Sequence, residues 1–324
     1  MKPVILVTAI GTATATAIVV ELKKTNKYYI IGADINPKNQ VATSKDVDEY
    51  HVFPTALSEN YLSFVLDFCK EHNVDYYYAV LDNEVVKVSK RRQEFLDIGT
   101  KVCMANYEFS KTCHFKNTFN DWVDSNVPEI AIKTYRCFDE INENAFPVFI
   151  KPVEGVASKG CKEISTLERL KEEVPQKKFN KEIIVQECIV GEILTVDLIR
   201  SKTTMQKAQI QRKELLRNAN GCGIAVEIIR IPELEAICDE LMEKLDLDGV
   251  ANAEFFFIEK ENGQKLFKII EINPRFSAGS RYSCMAGINT VLNAKRIADG
   301  EVCEFGEIAV GKHFAERYEV YQMD

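Results

Sequence analysis

The sequence predicts an α/β chain whose C-terminal part is α+β. Three features carry that prediction. Apolar strand-like runs alternate with helical patterns over the first hundred residues, an apolar run ending in Lys151-Pro152 opens into a small-residue loop, and two aromatic-rich runs flank Asn262-Gly263. At 324 residues the chain exceeds the ~100–200 residues of a typical domain, so two or three compact units are expected. Their predicted extents are 1–108, 109–185 and 186–324.

The elements follow in order. VILVT from Val4 reads as a strand, a helix runs through Leu22, YYIIGAD ends a second strand at Asp34, a helix lies near Tyr61 to Glu71, and DYYYAV from Asp75 reads as a third strand. Such alternation is the βαβ signature of a parallel sheet. The uncharged stretch from Pro3 to Val20 does not read as a signal peptide or membrane span. It is Thr-rich, broken by Gly11, preceded only by Lys2 and followed at once by the amphipathic Val20-Glu21-Leu22-Lys23-Lys24. Gly11 in the first turn and Asp34 at a strand end suggest a dinucleotide fold, but GxGxxG needs three glycines where this chain has Ile10-Gly11-Thr12-Ala13-Thr14-Ala15. A structural Rossmann-like domain is therefore favoured over nicotinamide binding. Ser110 to Val127 reads as one helix, stopped at Val127-Pro128. Strands around Val148 to Lys151 and Ile183 to Gln186, a helix from Pro232 to Leu245 and a hairpin from Ala251 to Asn273 complete the outline. No internal repeat or low-complexity linker separates them, so the domains are expected to pack tightly.

Composition narrows the function. A hydrophobic fraction of 46% with 28% charged residues is that of a folded globular chain rather than a disordered one. Lys and Arg number 41 against 49 Asp and Glu, a net charge of −8, which argues against a general nucleic-acid or anionic-membrane binder. Any bound anion must be gripped locally. The ten cysteines include no CxxC pair, so reduced thiols in a cytoplasmic chain are expected, with neither a disulfide framework nor a Cys-based zinc site.

The ribbon ANAEFFFIEKENGQKLFKIIEINPR, beginning at Ala251, is the most informative stretch. A two-residue Asn262-Gly263 turn pairs Glu261 with Gln264 and hence sets Glu254 opposite Glu271 and Asn252 opposite Asn273. Period-two alternation then puts Glu254, Glu271 and Asn273 on one face, with Phe256 and Ile269 behind them. Directly opposed carboxylates are destabilising unless something positive lies between them. Oxygen-only ligands suit Mg²⁺. The competing reading is a solvated polar face with a shifted register.

FPVFIKPVEGVASKGC, from Phe146 to Cys161, sets Gly155, Ala157, Ser158 and Gly160 around Lys159. Small residues let backbone N–H groups approach phosphate oxygens, and lysines neutralise their charge. GxxxxGK[ST] is absent, so a plain surface loop is an equal alternative for this segment alone. Between loop and ribbon lies IIVQECIVGEILTVDLI from Ile183, whose layout suits a nucleotide lying along exposed backbone. Taken alone, Glu187 and Glu192 also read as solvated turn charges.

Taken together, these motifs resemble the ATP-grasp superfamily, in particular stand-alone proteins similar to the ATP-binding halves of the carbamoyl-phosphate synthase large subunit. The likeness covers nearly the whole chain: VILVTAIGTATATAIV with IIGADINP, KPVEGVASKG, QECIVGEILTVD, AEFFF and EINPRFSAGSR. It implies a Rossmann-like preATP-grasp domain, then an ATP-grasp fold of two α+β subdomains, a small lid and a C-terminal one, with ATP between them. By the same resemblance Lys151, Lys159, Ser158 and Gly160 would meet the phosphates. Glu187, Cys188 and Ile189 would meet adenine, and Glu192 the ribose. Glu254, Glu271 and Asn273 would hold Mg²⁺, with Mn²⁺ as an alternative. Arg275 would face the transferred phosphate, and Arg212 and Arg281 are weaker candidates for a substrate carboxylate, the alternative being ordinary surface arginines. The family's Asp-Lys pair is missing; the comparable stretch is His114-Phe115-Lys116, which makes Lys116 a displaced phosphate contact and Lys111 a second candidate.

The activity so implied is that of an ATP-dependent carboxylate–amine ligase, forming a C–N bond through an acyl phosphate and releasing ADP and phosphate. Its partners would be small carboxylate and amine substrates, amino acids or peptide precursors by default, with no nucleic acid, no membrane and an oligomeric state the sequence leaves open. The loop 154–160 would act as a lid that orders on nucleotide binding. The rival readings are a non-catalytic ATP-binding sensor or scaffold and, third, an NAD-dependent oxidoreductase.

Overall fold

The computed structural model describes residues 2–155, 159–219 and 221–323. Over the first hundred residues the chain runs β1 (Val4–Val7), α1 (Ala13–Thr25), β2 (Tyr29–Asp34), β3 (Glu49–Val52), α2 (Tyr61–Glu71), β4 (Tyr76–Tyr78), α3 (Asp82–Lys90), α4 (Arg92–Asp97) and β5 (Lys101–Val102). The five strands form one parallel sheet in the order β3-β2-β1-β4-β5, as the βαβ alternation requires. Thr12 caps α1, its hydroxyl accepting from the Ala15 N–H. Asp34 is turned inward and accepts from the backbone N–H of Gly11 and Asn36 and from the Asn36 amide. Three hydrogen bonds from the protein itself thus fix this carboxylate.

The helix expected over 110–127 is two helices, α5 (Tyr107–His114) and α6 (Lys116–Asn126). Phe115 between them is extended, and the N–H of Lys116 donates to the Val153 carbonyl at 3.3 Å. A tertiary bond thus replaces a helical one, and the break sets Lys116 at a helix start.

β6 (Thr134–Tyr135), β7 (Val148–Pro152), β8 (Lys162–Ile164), α7 (Leu167–Glu173) and β9 (Ile183–Glu187) follow, the strands forming a small antiparallel sheet in the order β6-β9-β7-β8. Residue 185 falls inside β9. The chain then crosses directly into a six-stranded antiparallel sheet, order β14-β13-β10-β11-β12-β15. Its members are β10 (Glu192–Arg200), β11 (Lys207–Arg217), β12 (Gly223–Ile229), β13 (Gly249–Glu259), β14 (Lys265–Asn273) and β15 (His313–Ala315), with α8 (Pro232–Lys244), α9 (Ser280–Met285) and α10 (Thr290–Asp299) between them. At the crossing a Cβ on Gly191 would lie 2.8 Å from the Phe257 carbonyl oxygen, so the approach to β13 demands glycine.

Both faces of the large sheet are covered. Phe109, Phe119 and Val123 of α5 and α6 pack with Leu241 of α8 on Leu194, Phe255 and Ile269. On the other side Ile199, Ile210, Ile228 and Val250 share a core with Val291 and Ile297 of α10, with Ile5, Val7 and Tyr78 of the parallel sheet and with Ile18 of α1. The parallel sheet's other face forms its own cluster around Leu6, Tyr77 and Phe95. The tight packing expected from the lack of a linker is thereby realised.

A polar cluster pins this shared core. Asp299 accepts from Tyr76 at 3.0 Å, Lys101 at 2.6 Å and Lys295 at 2.6 Å. Burial works to raise the Asp299 pKa, but the bonds from Lys101, Lys295 and Tyr76 outweigh it and hold the group below the usual value. Its stabilising contribution is therefore present above the ordinary Asp range and lost as pH falls below that range, through the depressed pKa of the folded state. Asp299→Asn is expected to lower the unfolding free energy by about 2 kcal/mol, read from urea denaturation at neutral pH; an unchanged midpoint would remove this cluster from the account.

Candidate functional site

The β13–β14 ribbon pairs Glu254 with Glu271 and Asn252 with Asn273, as expected, but the route differs. Lys260 and Gln264 close a three-residue loop, Glu261-Asn262-Gly263, with Gly263 at φ 79°, instead of the two-residue turn. That shifts the distal pairs by one, so Phe256 pairs with Lys268 and Glu259 with Lys265. A bulge restores the register: Phe255 pairs with Ile269, Glu254 with Glu271, and Ile270 has no partner. Ile269 accordingly lies in the core with Phe255 and not behind the carboxylates.

The bulge has a use. The Ile270 carbonyl accepts from Lys151 Nζ at 3.3 Å, joining the small sheet to the large one. Lys151, the next-to-last residue of β7, is 4% exposed. Lys116 Nζ lies 3.4 Å from Glu271 Oε2 and donates to the Gly155 carbonyl at 3.1 Å. Lys111 instead lies over the Tyr107 ring. Glu254 meets Arg217 at 3.2 Å. The opposed carboxylates are thus each in an ion pair with the chain itself, Glu271 with Lys116 and Glu254 with Arg217. Asn273 donates to Glu271 Oε1 at 3.1 Å, and Arg275 donates through Nε to Asp82 at 2.8 Å and through Nη2 to Asn273 at 3.4 Å. A cavity of about 260 Å³ lies among Asp82, Lys116, Glu154, Gly155, Glu271 and Asn273.

Electrostatics here follow from crowding. Burial first, then the Glu271 charge, raises the Glu254 pKa. Burial acts on Glu271 in the same sense, but Lys116 and Lys151, the Asn273 amide and Arg275 overcome it and hold that carboxyl low. One carboxylate is kept ionised and its neighbour holds a proton more readily. Oxygen donors of this kind, with a like-charge cost that a divalent cation would relieve, fit Mg²⁺. Burial pushes Lys151 down to about 8, with Glu271 opposing and Lys116 assisting.

The Lys151 shift has two consequences of opposite sign. Between pH 8 and 10.5 the unfolded chain holds a proton that the folded chain has shed, so unliganded stability rises with pH, by at most about 3 kcal/mol. Phosphate affinity, which needs the charged ammonium, should fall over the same window. Urea unfolding and MgADP titration of the wild type and Lys151→Met across that range check both, the difference between the two proteins being the readout. A difference independent of pH would mean that the buried amine does not titrate there.

The remaining candidates are dispersed. Glu187 is held by Lys133, its carboxylate accepting from the backbone N–H at 3.0 Å. Cys188 lies 3.6 Å from Glu163. Both, with Ile189, sit where the chain crosses between the two sheets. Glu192 begins β10 and pairs with Lys213 at 2.7 Å. Lys159 and Gly160 are exposed, and Ser158 lies outside the described residues. Arg281 is exposed on α9. Arg212 is neither at an open cleft nor at the surface: it is 1% exposed and donates to Asp197 at 2.6 and 3.3 Å, to Ser283 at 2.7 Å and to Ser277 at 3.3 Å. Sequence reasoning missed Asp82 and Arg217, whose only signal was a charge beside a strand or helix end.

A lysine-bearing small sheet laid over a carboxylate-bearing hairpin of a larger one defines the ATP-grasp arrangement, and the comparisons agree. Residues 179–317 match the family described as ATP-grasp in the biosynthetic pathway with Ter operon, and residues 5–103 match the PylC-like N-terminal domain. The chain thus carries an ATP-grasp family domain and, before it, a PylC-like N-terminal domain. Its fold is similar to biotin carboxylase from Campylobacter jejuni, at 13% identity and TM-score 0.76 over 95% of this chain and 74% of that one. The biotin carboxylase domain of Hydrogenobacter thermophilus 2-oxoglutarate carboxylase, solved with MgADP, gives 14%, 0.74, 95% and 73%. N5-carboxyaminoimidazole ribonucleotide synthetase from Thermotoga maritima gives 17%, 0.66, 95% and 78%. No curated protein matches the sequence. Among the described residues no helix is long and apolar enough to cross a membrane.

Proposed function

We propose that this chain is an ATP-dependent carboxylate–amine ligase that forms a C–N bond through an acyl phosphate. The observation that carries the reading is the cleft itself: Glu254 and Glu271 face each other while Lys116 of α6 and Lys151 of β7 bring their charges to Glu271. A substrate carboxylate attacks the γ-phosphorus of ATP, ADP leaves, an amine adds to the acyl carbon, and the tetrahedral intermediate expels phosphate. No protein nucleophile is needed. Lys116, Lys151 and Lys159 offset the phosphate charge, and Arg275, oriented by Asp82, meets the transferred group. The end of β9 at Glu187 and the chain that follows, Cys188 and Ile189, take adenine, and Glu192 the ribose. Glu254, Glu271 and Asn273 would hold Mg²⁺ or Mn²⁺, which supplies charge neutralisation to the phosphates when bound. Arg281 remains a candidate for a substrate carboxylate. Amino acids are the first substrates to screen, in the cytoplasm as the proposed setting.

The test is product analysis with Mg-ATP and a panel of acid–amine pairs. ADP, phosphate and a condensed product in equal amounts are expected. AMP and pyrophosphate would overturn the acyl-phosphate route, and tight MgADP binding without turnover on any pair would favour a nucleotide sensor.

A further inference from the structure

On the far side of the parallel sheet, β3 is an edge strand, and alternation puts Glu49 and His51 on the same face of it. His72, the C-cap of α2, comes over that face. Glu49 Oε1 lies 2.6 Å from Nε2 of His51 and 3.8 Å from Nδ1 of His72. One ligand atom from each of the three residues lies within 4.8 Å of the other two. The rings are clamped: Phe68 stacks on His72 at 4.0 Å and meets His51 edge-on at 4.9 Å. The Tyr29 hydroxyl donates to Glu49 Oε2 at 3.2 Å, leaving Oε1 toward the imidazoles.

We infer that Glu49, His51 and His72 form a binding site for a borderline-soft divalent transition metal, Zn²⁺ first, which ties the edge strand β3 to the end of α2. Two imidazoles and one carboxylate are a zinc donor set, unlike the all-oxygen pair in the cleft. Ligand atoms around a tetrahedral ion with bonds of ~2.1 Å stand about 3.4 Å apart. The observed separations bracket that value, so small side-chain rotations suffice to close the site. Tyr29 and Phe68 supply the outer support that holds ligands in orientation. Three protein ligands leave a fourth position open to water. All three side chains are partly exposed, from 25% to 35%, so the ion has an entry path.

The test is calorimetric titration of Zn²⁺ into metal-stripped full-length protein. One equivalent should bind to the wild type and to Glu271→Gln, with affinity falling at least tenfold in His51→Gln and in His72→Ala, both checked for folding by circular dichroism. Co²⁺ in place of Zn²⁺ should give visible d–d bands without the near-ultraviolet thiolate band that ligation by any of the cysteines would bring. A wild type that takes up no Zn²⁺ overturns the inference, as does binding that survives in both folded histidine variants, disappears in Glu271→Gln alone, or carries the thiolate band.

Discussion

Glu271→Gln is expected to lower Mg-ATP turnover by about 10²- to 10³-fold while leaving the fold intact. The side chain keeps its shape but loses the charge that Lys116 and Lys151 face. It also loses the charge that, with Glu254, would receive a divalent cation. The effect reaches beyond activity. Thermal unfolding of the wild type with MgADP at about a hundred times its dissociation constant should gain roughly 2.7 kcal/mol, and the variant should gain none. Because the Glu271 charge helps raise the Glu254 pKa, that carboxyl should titrate closer to the ordinary range in the variant, which carboxyl-resolved NMR reads directly. Wild-type turnover in Glu271→Gln would remove the ribbon from the chemistry.

Arg212→Met is expected to cost about 3–5 kcal/mol of stability, with no selective effect on substrate KM in whatever folded fraction is assayed. Asp197 is fully enclosed, and burial alone would raise its pKa; Arg212 and the hydroxyls of Ser283 and Ser277 overturn that and hold it low. Asn252 adds a further bond to Asp197 at 2.9 Å. Removing the guanidinium leaves a carboxylate in the interior with its charge uncompensated. The pH dependence gives the sign: Asp197 contributes stability above the ordinary Asp range and loses it as pH falls, and the variant should lose this dependence or invert it. Urea midpoints against pH provide the measurement. A variant as stable as the wild type but with a raised substrate KM would restore Arg212 to the substrate.

The sequence made the periodic elements legible where local pattern decides them. α2 spans Tyr61–Glu71 and β2 ends at Asp34, where the sequence put them. The pairing of Glu254 with Glu271 was also foreseen, although two departures that cancel, a longer turn and a bulge at Ile270, produce it. Only the sum of the two is visible from turn chemistry. The helix break at Phe115 escaped because its cause, the bond from Lys116 to Val153, joins segments distant in sequence. Arg212 escaped for a similar reason: an arginine in an eleven-residue strand shows no sign of facing an aspartate fifteen residues earlier. Lys116 and Lys111 enter as candidates only through the family resemblance, and it takes the fold to show that Lys116 lies alongside Glu271 while Lys111 lies over Tyr107.

The shared core has an implication for how this chain can be handled and how it can change. Ile5, Val7, Ile18 and Tyr78 are covered by Val291 and Ile297, nearly the whole chain away. The N-terminal third is therefore not a detachable cassette. Expressed alone it would expose the apolar residues of β1, β4 and α1 that pack against α10 and the large sheet, and recombination that swapped it for a relative's would have to match that surface. Drift in α10 and drift in α1 are bound to each other, so this pair of helices should evolve as one unit although more than two hundred and sixty residues separate them.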